Sequence, residues 1–370
     1  MRIGVPREIK DHEYRVGLTP EGVKLLCSEG HKVWIETNAG LRIGFPDSAY
    51  RDAGACIGNS PAEIYDCELV VKVKELQPAE FKLLHAAQTL FCYQHFAPDR
   101  NLLEHMLEAK VSCVAYETVT DSAGGFPLLA PMSQIAGRLS IQVGAWALQM
   151  ANGGSGVLLP GIPGVAPGKV VTIGAGTVGS NAAHVAVGMG ADVTVLALNA
   201  SRLAQLERAY PGKIKTRLSE PSILAEHVAD ADLVIGAVSI AGKLAPKLIS
   251  RELLRKMRPG SVLVDVSIDQ GGIAETSRPT THSNPLYVEE GVVHYCVANM
   301  PAAVARTATL ALMQAILPYV RALAKRGLKA AVFADPGLKN GLQIHAGHIT
   351  YKNLAEDMGK PYVSPEQALA

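Results

Sequence analysis

Short runs of aliphatic and β-branched residues recur along the first third of the chain, separated by segments with helical spacing of apolar positions. Residues 2–5, 32–36, 69–73, 89–93 and 111–116 are predicted strands. Between the first two, Thr19-Pro20 reads as a helix N-cap followed by proline at the first helical position, and Gly30 closes that helix. Strands alternating with helices favour a mostly parallel sheet with helices on both faces.

A second α/β series begins near residue 130. A long helix over 133–150 leads through a glycine- and proline-rich loop at 152–168 to a strand at 169–173. Further strands are predicted at 192–196, 233–236, 261–267 and 292–297, and a helix rich in alanine and leucine over 302–325. A helix this apolar must pack on something, so the tail to Ala370 is expected to return to the first α/β region. Residues 139–168 and 170–191 contain no Asp, Glu, Lys or Arg. Glycines break both, and Pro160, Pro163 and Pro167 break the first, so they read as buried helix, loop and strand and not as membrane spans.

Composition narrows the classes. A chain of 370 residues with 48% hydrophobic residues suits two domains of ordinary size. The 35 basic and 34 acidic residues nearly cancel, which leaves no electrostatic footprint for nucleic acid and points to a small ligand. Cys27, Cys56, Cys67, Cys92, Cys113 and Cys296 form no C-x-x-C pair, so neither a disulfide framework nor a zinc site is expected, and a reducing compartment fits. The opening Met1-Arg2-Ile3-Gly4-Val5-Pro6-Arg7 carries charges where a signal peptide needs an apolar stretch, so a cytoplasmic location is expected.

The most informative motif follows the strand at 169–173. Gly174-Ala175-Gly176-Thr177-Val178-Gly179 is G-x-G-x-x-G, with a helix predicted over 181–189 and a strand beyond it. The first glycine permits the tight turn, the second admits pyrophosphate to the backbone, and the third lets helix and strand pack closely. Pyrophosphate would then lie on the helix N-terminus, where open N–H groups favour anions. A glycine-rich turn is the bland alternative, but the strand–helix–strand context is the one that dinucleotide binding requires. One part departs: where an acidic residue should end the next strand, the chain reads Leu196-Ala197-Leu198-Asn199, and Asp192 comes too early.

Ligands of doubly wound sheets bind outside the carboxyl ends of the strands, and that rule nominates further residues. Arg15 follows the first strand, Lys74 ends Val70-Val71-Lys72-Val73-Lys74, and His95 follows Phe91-Cys92-Tyr93-Gln94. Asp269 follows the strand at 261–267, and Asn299-Met300-Pro301 follows the strand at 292–297. Each has a plainer reading: a solvated charge for Arg15, an exposed strand edge for Lys72 and Lys74, a structural histidine for His95, a turn cap for Asp269. Their chemistry is nevertheless complementary. Arg15 and Lys74 supply two cations for a small carboxylate, which Arg can grip bidentately. His95 and Asp269 can move protons, and no metal is needed.

These residues carry a resemblance to the bacterial alanine dehydrogenases, running nearly end to end. It passes through Gly4-Val5-Pro6-Arg7-Glu8, Val71-Lys72-Val73-Lys74-Glu75, Pro131-Met132-Ser133, the glycine loop, Asp269-Gln270-Gly271-Gly272, Arg278-Pro279-Thr280-Thr281 and Val297-Ala298-Asn299-Met300-Pro301. The resemblance implies reversible oxidative deamination of L-alanine to pyruvate and ammonium with NAD. It implies an α/β fold of two doubly wound parallel-sheet domains: a Rossmann NAD domain, 129–305, inserted into a discontinuous substrate domain, 1–128 plus 306–370, with a cleft between them. The family's carboxylate ligands fall on Arg15 and Lys74, and its acid/base residues on His95 and Asp269. Its nucleotide contacts fall on Ser133, Gly174, Gly176, Thr177, Val178, Gly179, Arg202, Ser219, Val238 and Ser239, with Ala197 the departure. They continue over Val266, Ser267, Ile268, Asp269, Arg278, Val297, Ala298, Asn299 and Met300. A cytoplasmic homo-oligomer, usually a hexamer, is also implied.

Two other classes compete. The nucleotide-binding segment of a proton-pumping transhydrogenase needs no amino-acid pocket, and a saccharopine dehydrogenase-like enzyme needs room for a long amino acid. A non-catalytic NAD-binding role is open to any dehydrogenase fold, but Arg15, Lys74, His95 and Asp269 argue against it. Ala197 adds an expectation of its own: without an acid to repel a 2′-phosphate, NADP is accepted alongside NAD.

Overall fold

The longer β-branched runs form strands close to their predicted ranges, and further short strands join them. In chain order they are β1 (Arg2–Val5), β2 (Lys32–Glu36), β3 (Cys56–Gly58), β4 (Leu69–Val71), β5 (Thr89–Cys92) and β6 (Ser112–Ala115). Next come β7 (Lys169–Ile173), β8 (Asp192–Ala197), β9 (Lys215–Leu218), β10 (Leu233–Gly236), β11 (Val262–Asp265), β12 (Leu286–Glu289) and β13 (Val292–Tyr295), then β14 (Leu342–His345) and β15 (His348–Ile349). The computed structural model describes residues 1–238 and 244–370. Ser239, one of the expected nucleotide contacts, lies outside the described residues. Two units emerge, Met1–Pro131 with Val304–Ala370, and Met132–Ala303.

The first unit holds a sheet in the order β15-β14-β6-β5-β4-β1-β2-β3. Its strands from β3 through β6 pair in parallel, while β14 joins β6 and β15 joins β14 in antiparallel sense. The central strands β4 and β5 are buried at every position, as strands covered on both faces must be. After β1 the chain lays down β2 and β3 on one side, then returns to start β4 on the other. That reversal opens a crevice at the carboxyl ends of β1 and β4.

The helix Pro20–Ser28 begins as its sequence predicts, with the Thr19 side chain accepting from the Gly22 N–H and Pro20 in the first turn. The helix Ala305–Ala334 buries Ala308, Leu312, Ile316, Val320 and Leu323 at three- and four-residue spacing, and bends at Gly327, whose φ is 73°. Among the described residues, Met300–Ala334 alone is long and apolar enough to cross a membrane. Its buried stripe packs instead within the first unit, where Gly22 leaves room for the Met313 side chain.

The second unit holds the order β12-β13-β11-β10-β7-β8-β9, parallel except where β12 pairs with β13. Here the reversal falls between β7 and β10. Its core gathers Val171, Ile173, Val234, Leu263 and Val292 with Leu224, Val228 and Leu254. The five strands not predicted from sequence are β3, β9, β12, β14 and β15. Four of these are the edges of the two sheets. Edge strands are short and part-exposed, so β9 reads as polar Lys215-Thr216-Arg217-Leu218 and carries no apolar run to detect.

Candidate active site

In the first unit, the nominated side chains sit where β1, β4 and β5 end, and buried carboxylates hold them there. Lys72 is only 1% exposed. Its Nζ donates to Glu8 Oε2 at 2.8 Å and lies 3.3 Å from Glu80 Oε1. Burial by itself disfavours the ammonium, but the two carboxylates outweigh it and keep Lys72 charged. Glu8 Oε1 also accepts from the backbone N–H groups of Val73 at 2.7 Å and Lys74 at 3.3 Å. The Tyr116 hydroxyl donates to the Lys72 carbonyl. An exposed strand edge is thereby excluded for Lys72, which is buried and follows a strand in the interior of the sheet.

Pinned this way, Lys74 places its Nζ 3.4 Å from His95 Nε2. A lysine ammonium can only donate, so a hydrogen bond here requires a neutral ring with its lone pair on Nε2, whereas a protonated ring would leave the two groups as neighbouring cations. His95 adopts φ 48°, a left-handed conformation that non-glycine residues seldom take. The Glu117 carboxylate, just beyond β6, accepts from the backbone N–H groups of Gln94 and His95, the latter at 2.8 Å, and holds that turn. Glu75 lies 3.9 Å from the Lys74 ammonium and pairs with Lys10. Burial acts to raise the Glu75 carboxyl, but Lys74, His95 and Lys10 outweigh it and hold it down at about 2.

Arg15 is 2% exposed, not a solvated loop charge. Its Nε and Nη2 donate to Glu13 Oε1 and Oε2 at 2.7 and 2.6 Å. That side-on edge is therefore engaged within the chain and is closed to a ligand's bidentate grip. Gly17 lets this segment run directly over the end of β4, since a Cβ there would meet the Val71 carbonyl at 2.4 Å.

In the second unit the nominated residues gather at the carboxyl ends of six strands. Gly174 to Gly179 follow β7, Ala197 ends β8, Ser219 follows β9 and Val238 follows β10. Val266 to Asp269 form a tight turn after β11, and Val297 to Met300 follow β13. The helix starts inside the motif, over Thr177–Gly188, with Gly176 as an N-cap that offers no side chain. Its first-turn N–H groups thus lack a side-chain cap, which suits a pyrophosphate. Gly174 has φ 110°, and a Cβ there would lie 2.2 Å from the Ala237 carbonyl; one on Gly179 would lie 1.9 Å from the Gly174 carbonyl. These residues fit a dinucleotide: the backbone is bare where phosphates must approach.

The remaining nominated positions are fixed individually. Ser133 is half-buried on the helix Ala130–Ala147, and Arg278 is exposed over the Tyr287 ring at 3.9 Å. The Asn299 carbonyl accepts from His282 Nε2 at 2.9 Å in the neutral or charged ring. Ala197 is 7% exposed, and the next residue, Leu198, is 85% exposed. Asn199 Oδ1 accepts from the Arg202 N–H as a helix cap, and Arg202 Nη1 lies 3.5 Å from where a Cβ on Gly176 would stand.

Two family descriptions divide the chain between them. Alanine dehydrogenase/PNT, N-terminal domain, matches residues 4–136, and alanine dehydrogenase/PNT, C-terminal domain, matches residues 140–352. The chain belongs to this family. A protein of Halomonas elongata named alanine dehydrogenase is 52% identical over 364 residues, 98% of each chain. One of Bacillus subtilis with the same name is 49% identical over 370 residues, covering 100% of this chain and 98% of the other. Among solved structures, one titled L-alanine dehydrogenase superposes with a TM-score of 0.94 at 47% identity, over 97% of this chain and 99% of that one. Within the family's two domains, the residues not anticipated from sequence are carboxylates: Glu8, Glu13, Glu75, Glu80 and Glu117. Only Glu8 and Glu75 fell within the matching motifs, and each reads locally as an ordinary surface acid.

Proposed function

We propose that this chain is an NAD-dependent alanine dehydrogenase that interconverts L-alanine with pyruvate and ammonium. One observation carries the reading: a lysine–histidine pair is built at the strand crevice of the first unit, with a buried arginine following the neighbouring strand. Full-length likeness to relatives bearing that name supports it. On this reading residues 1–128 and 306–370 handle substrate and 129–305 hold the nucleotide. A cytoplasmic homo-hexamer belongs to the same reading.

NAD, when bound on the glycine loop, supplies the hydride acceptor. The protein's own part is to bind, orient and move protons. Arg15 and Lys74 hold the alanine carboxylate, which fixes the α-carbon for loss of hydride. His95 or Asp269 takes a proton from the water that adds to the iminium carbon. That proton returns to nitrogen, and as the carbinolamine collapses its hydroxyl proton is taken up in turn, so that pyruvate and ammonium leave. The same groups serve amination in reverse.

NADP is accepted as well as NAD. The Ala197 methyl neither bonds the ribose hydroxyls nor repels a 2′-phosphate, and Arg202 stands close to the glycine loop to meet one. The decisive experiment is an initial-rate assay following NADH absorbance with NAD and L-alanine, then with NADH, pyruvate and ammonium. Turnover in both directions is expected. Absence of turnover with L-alanine, alongside turnover of another amino acid, would overturn the substrate.

A further inference from the structure

Asp269 lies in a turn whose geometry is set from two sides. Inside, Asp265 is wholly buried. Its carboxylate accepts from the Ser267 N–H at 3.1 Å, the Ile273 N–H at 2.7 Å and the Ser277 hydroxyl at 2.6 Å, closing the chain from 265 to 277 into a loop. Gly236 and Gly272 make room for it, since a Cβ on either would come within 2.8 or 2.6 Å of its oxygens. Outside, Lys247 Nζ donates to the carbonyls of Gly271 at 2.5 Å, Gly272 at 3.0 Å and Ala274 at 2.9 Å. Gly271 and Gly272 both take left-handed φ, 88° and 75°, and these successive turns accompany carbonyls that converge on one point.

An ammonium has three N–H donors, and here all three meet main-chain carbonyls. Lys247 is exposed, yet its ammonium is turned back onto these three carbonyls. The main chain on either side of Lys247 is joined to the same loop, through Ala245 N–H to the Gln270 carbonyl at 2.8 Å and Leu248 N–H to the Ile273 carbonyl at 2.7 Å. We propose that Lys247 is a positioning residue for Asp269, locking from outside the turn that Asp265 closes from within. The inference rests on Asp269 acting in proton transfer, as read above.

Lys247→Met keeps the aliphatic stem and removes the three donors. Displacing an acid/base group by a fraction of an ångström is costly, so kcat should fall about 10-fold. The KM for pyruvate should stay within about twofold, because Arg15 and Lys74 are untouched. In an Asp269→Ala background, Lys247→Met should change kcat less than about twofold, since nothing is left to position. Wild-type kcat in Lys247→Met, or the same 10-fold loss again on top of Asp269→Ala, would overturn the proposal while leaving Asp269 in place. Wild-type kcat in Asp269→Ala alone would instead remove Asp269 from the chemistry, and the proposal with it.

Discussion

The two units place polar groups at the carboxyl ends of parallel strands by opposite means. In the first unit the groups are side chains. Lys72, Lys74, His95 and Arg15 are each held by a carboxylate or by a backbone turn that a carboxylate caps. In the second unit the nucleotide end of the sheet is mostly backbone. Gly174, Gly176 and Gly179 clear the way, and the N-terminus of the helix Thr177–Gly188 supplies the dipole. Side-chain charge in a buried place requires counter-charge, near in sequence for Arg15 and Glu13 but 64 positions away for Lys72 and Glu8. Backbone amides require only small residues at the right spacing.

The largest test of that contrast is Lys72→Met, which leaves Glu8 and Glu80 buried without their shared cation. Breaking a buried pair in this way costs about 3–5 kcal/mol, read as a lower melting temperature. A melting curve unchanged from wild type would show that the carboxylates do not depend on Lys72. Next, His95→Ala should cut kcat by about 10²-fold, the usual scale for a positioned acid or base. Stability should hardly move, because the Glu117 cap bonds the backbone and not the ring. Full activity would leave the left-handed turn with no catalytic purpose.

In the second unit, Ala197→Asp adds a side chain where the structure has only a methyl group. Charged hydrogen bonds to the ribose are worth about 1.5–3 kcal/mol, or roughly 10- to 150-fold. The ratio of kcat/KM for NADH over NADPH should rise by that factor; an unchanged ratio would show that position 197 does not face the ribose. Gly179→Ala places a methyl group on the Gly174 carbonyl and should weaken NADH binding about 5- to 150-fold, measured by NADH fluorescence, given overpacking costs of about 1–3 kcal/mol. Tight binding would mean the loop can shift without harm.

The last test is acid titration of the first unit, whose effect is confined to low pH. The Glu75 carboxyl is depressed to about 2, so its contribution to stability is complete above the ordinary carboxylate range near 4.5. It is lost as pH falls through about 2. Glu75→Gln should flatten that part of the stability–pH curve, followed by melting temperature between these limits. An identical slope in the variant would assign the acid loss to other groups.

The interior strands were legible because burial on both faces writes itself as an unbroken apolar run, as in Leu69-Val70-Val71 and Val262-Leu263-Val264. The glycine loop was legible because its parts lie within six consecutive residues. The positions of Arg15, Lys74, His95 and Asp269 followed from one topological rule applied to strand ends. The residues that hold them did not, because Glu8 meets Lys72 across 64 positions and Glu117 meets His95 across 22. No local period connects such pairs. The sequence by itself determined the α/β alternation, the nucleotide loop and the candidate polar groups, all of which depend on near neighbours. Tertiary structure alone decided the edge strands, which borrow their pairing from a sheet already formed, and the burial of Lys72 between two acids. It also decided the engagement of Arg15 by Glu13, since only folding sets which side of a guanidinium faces its neighbour.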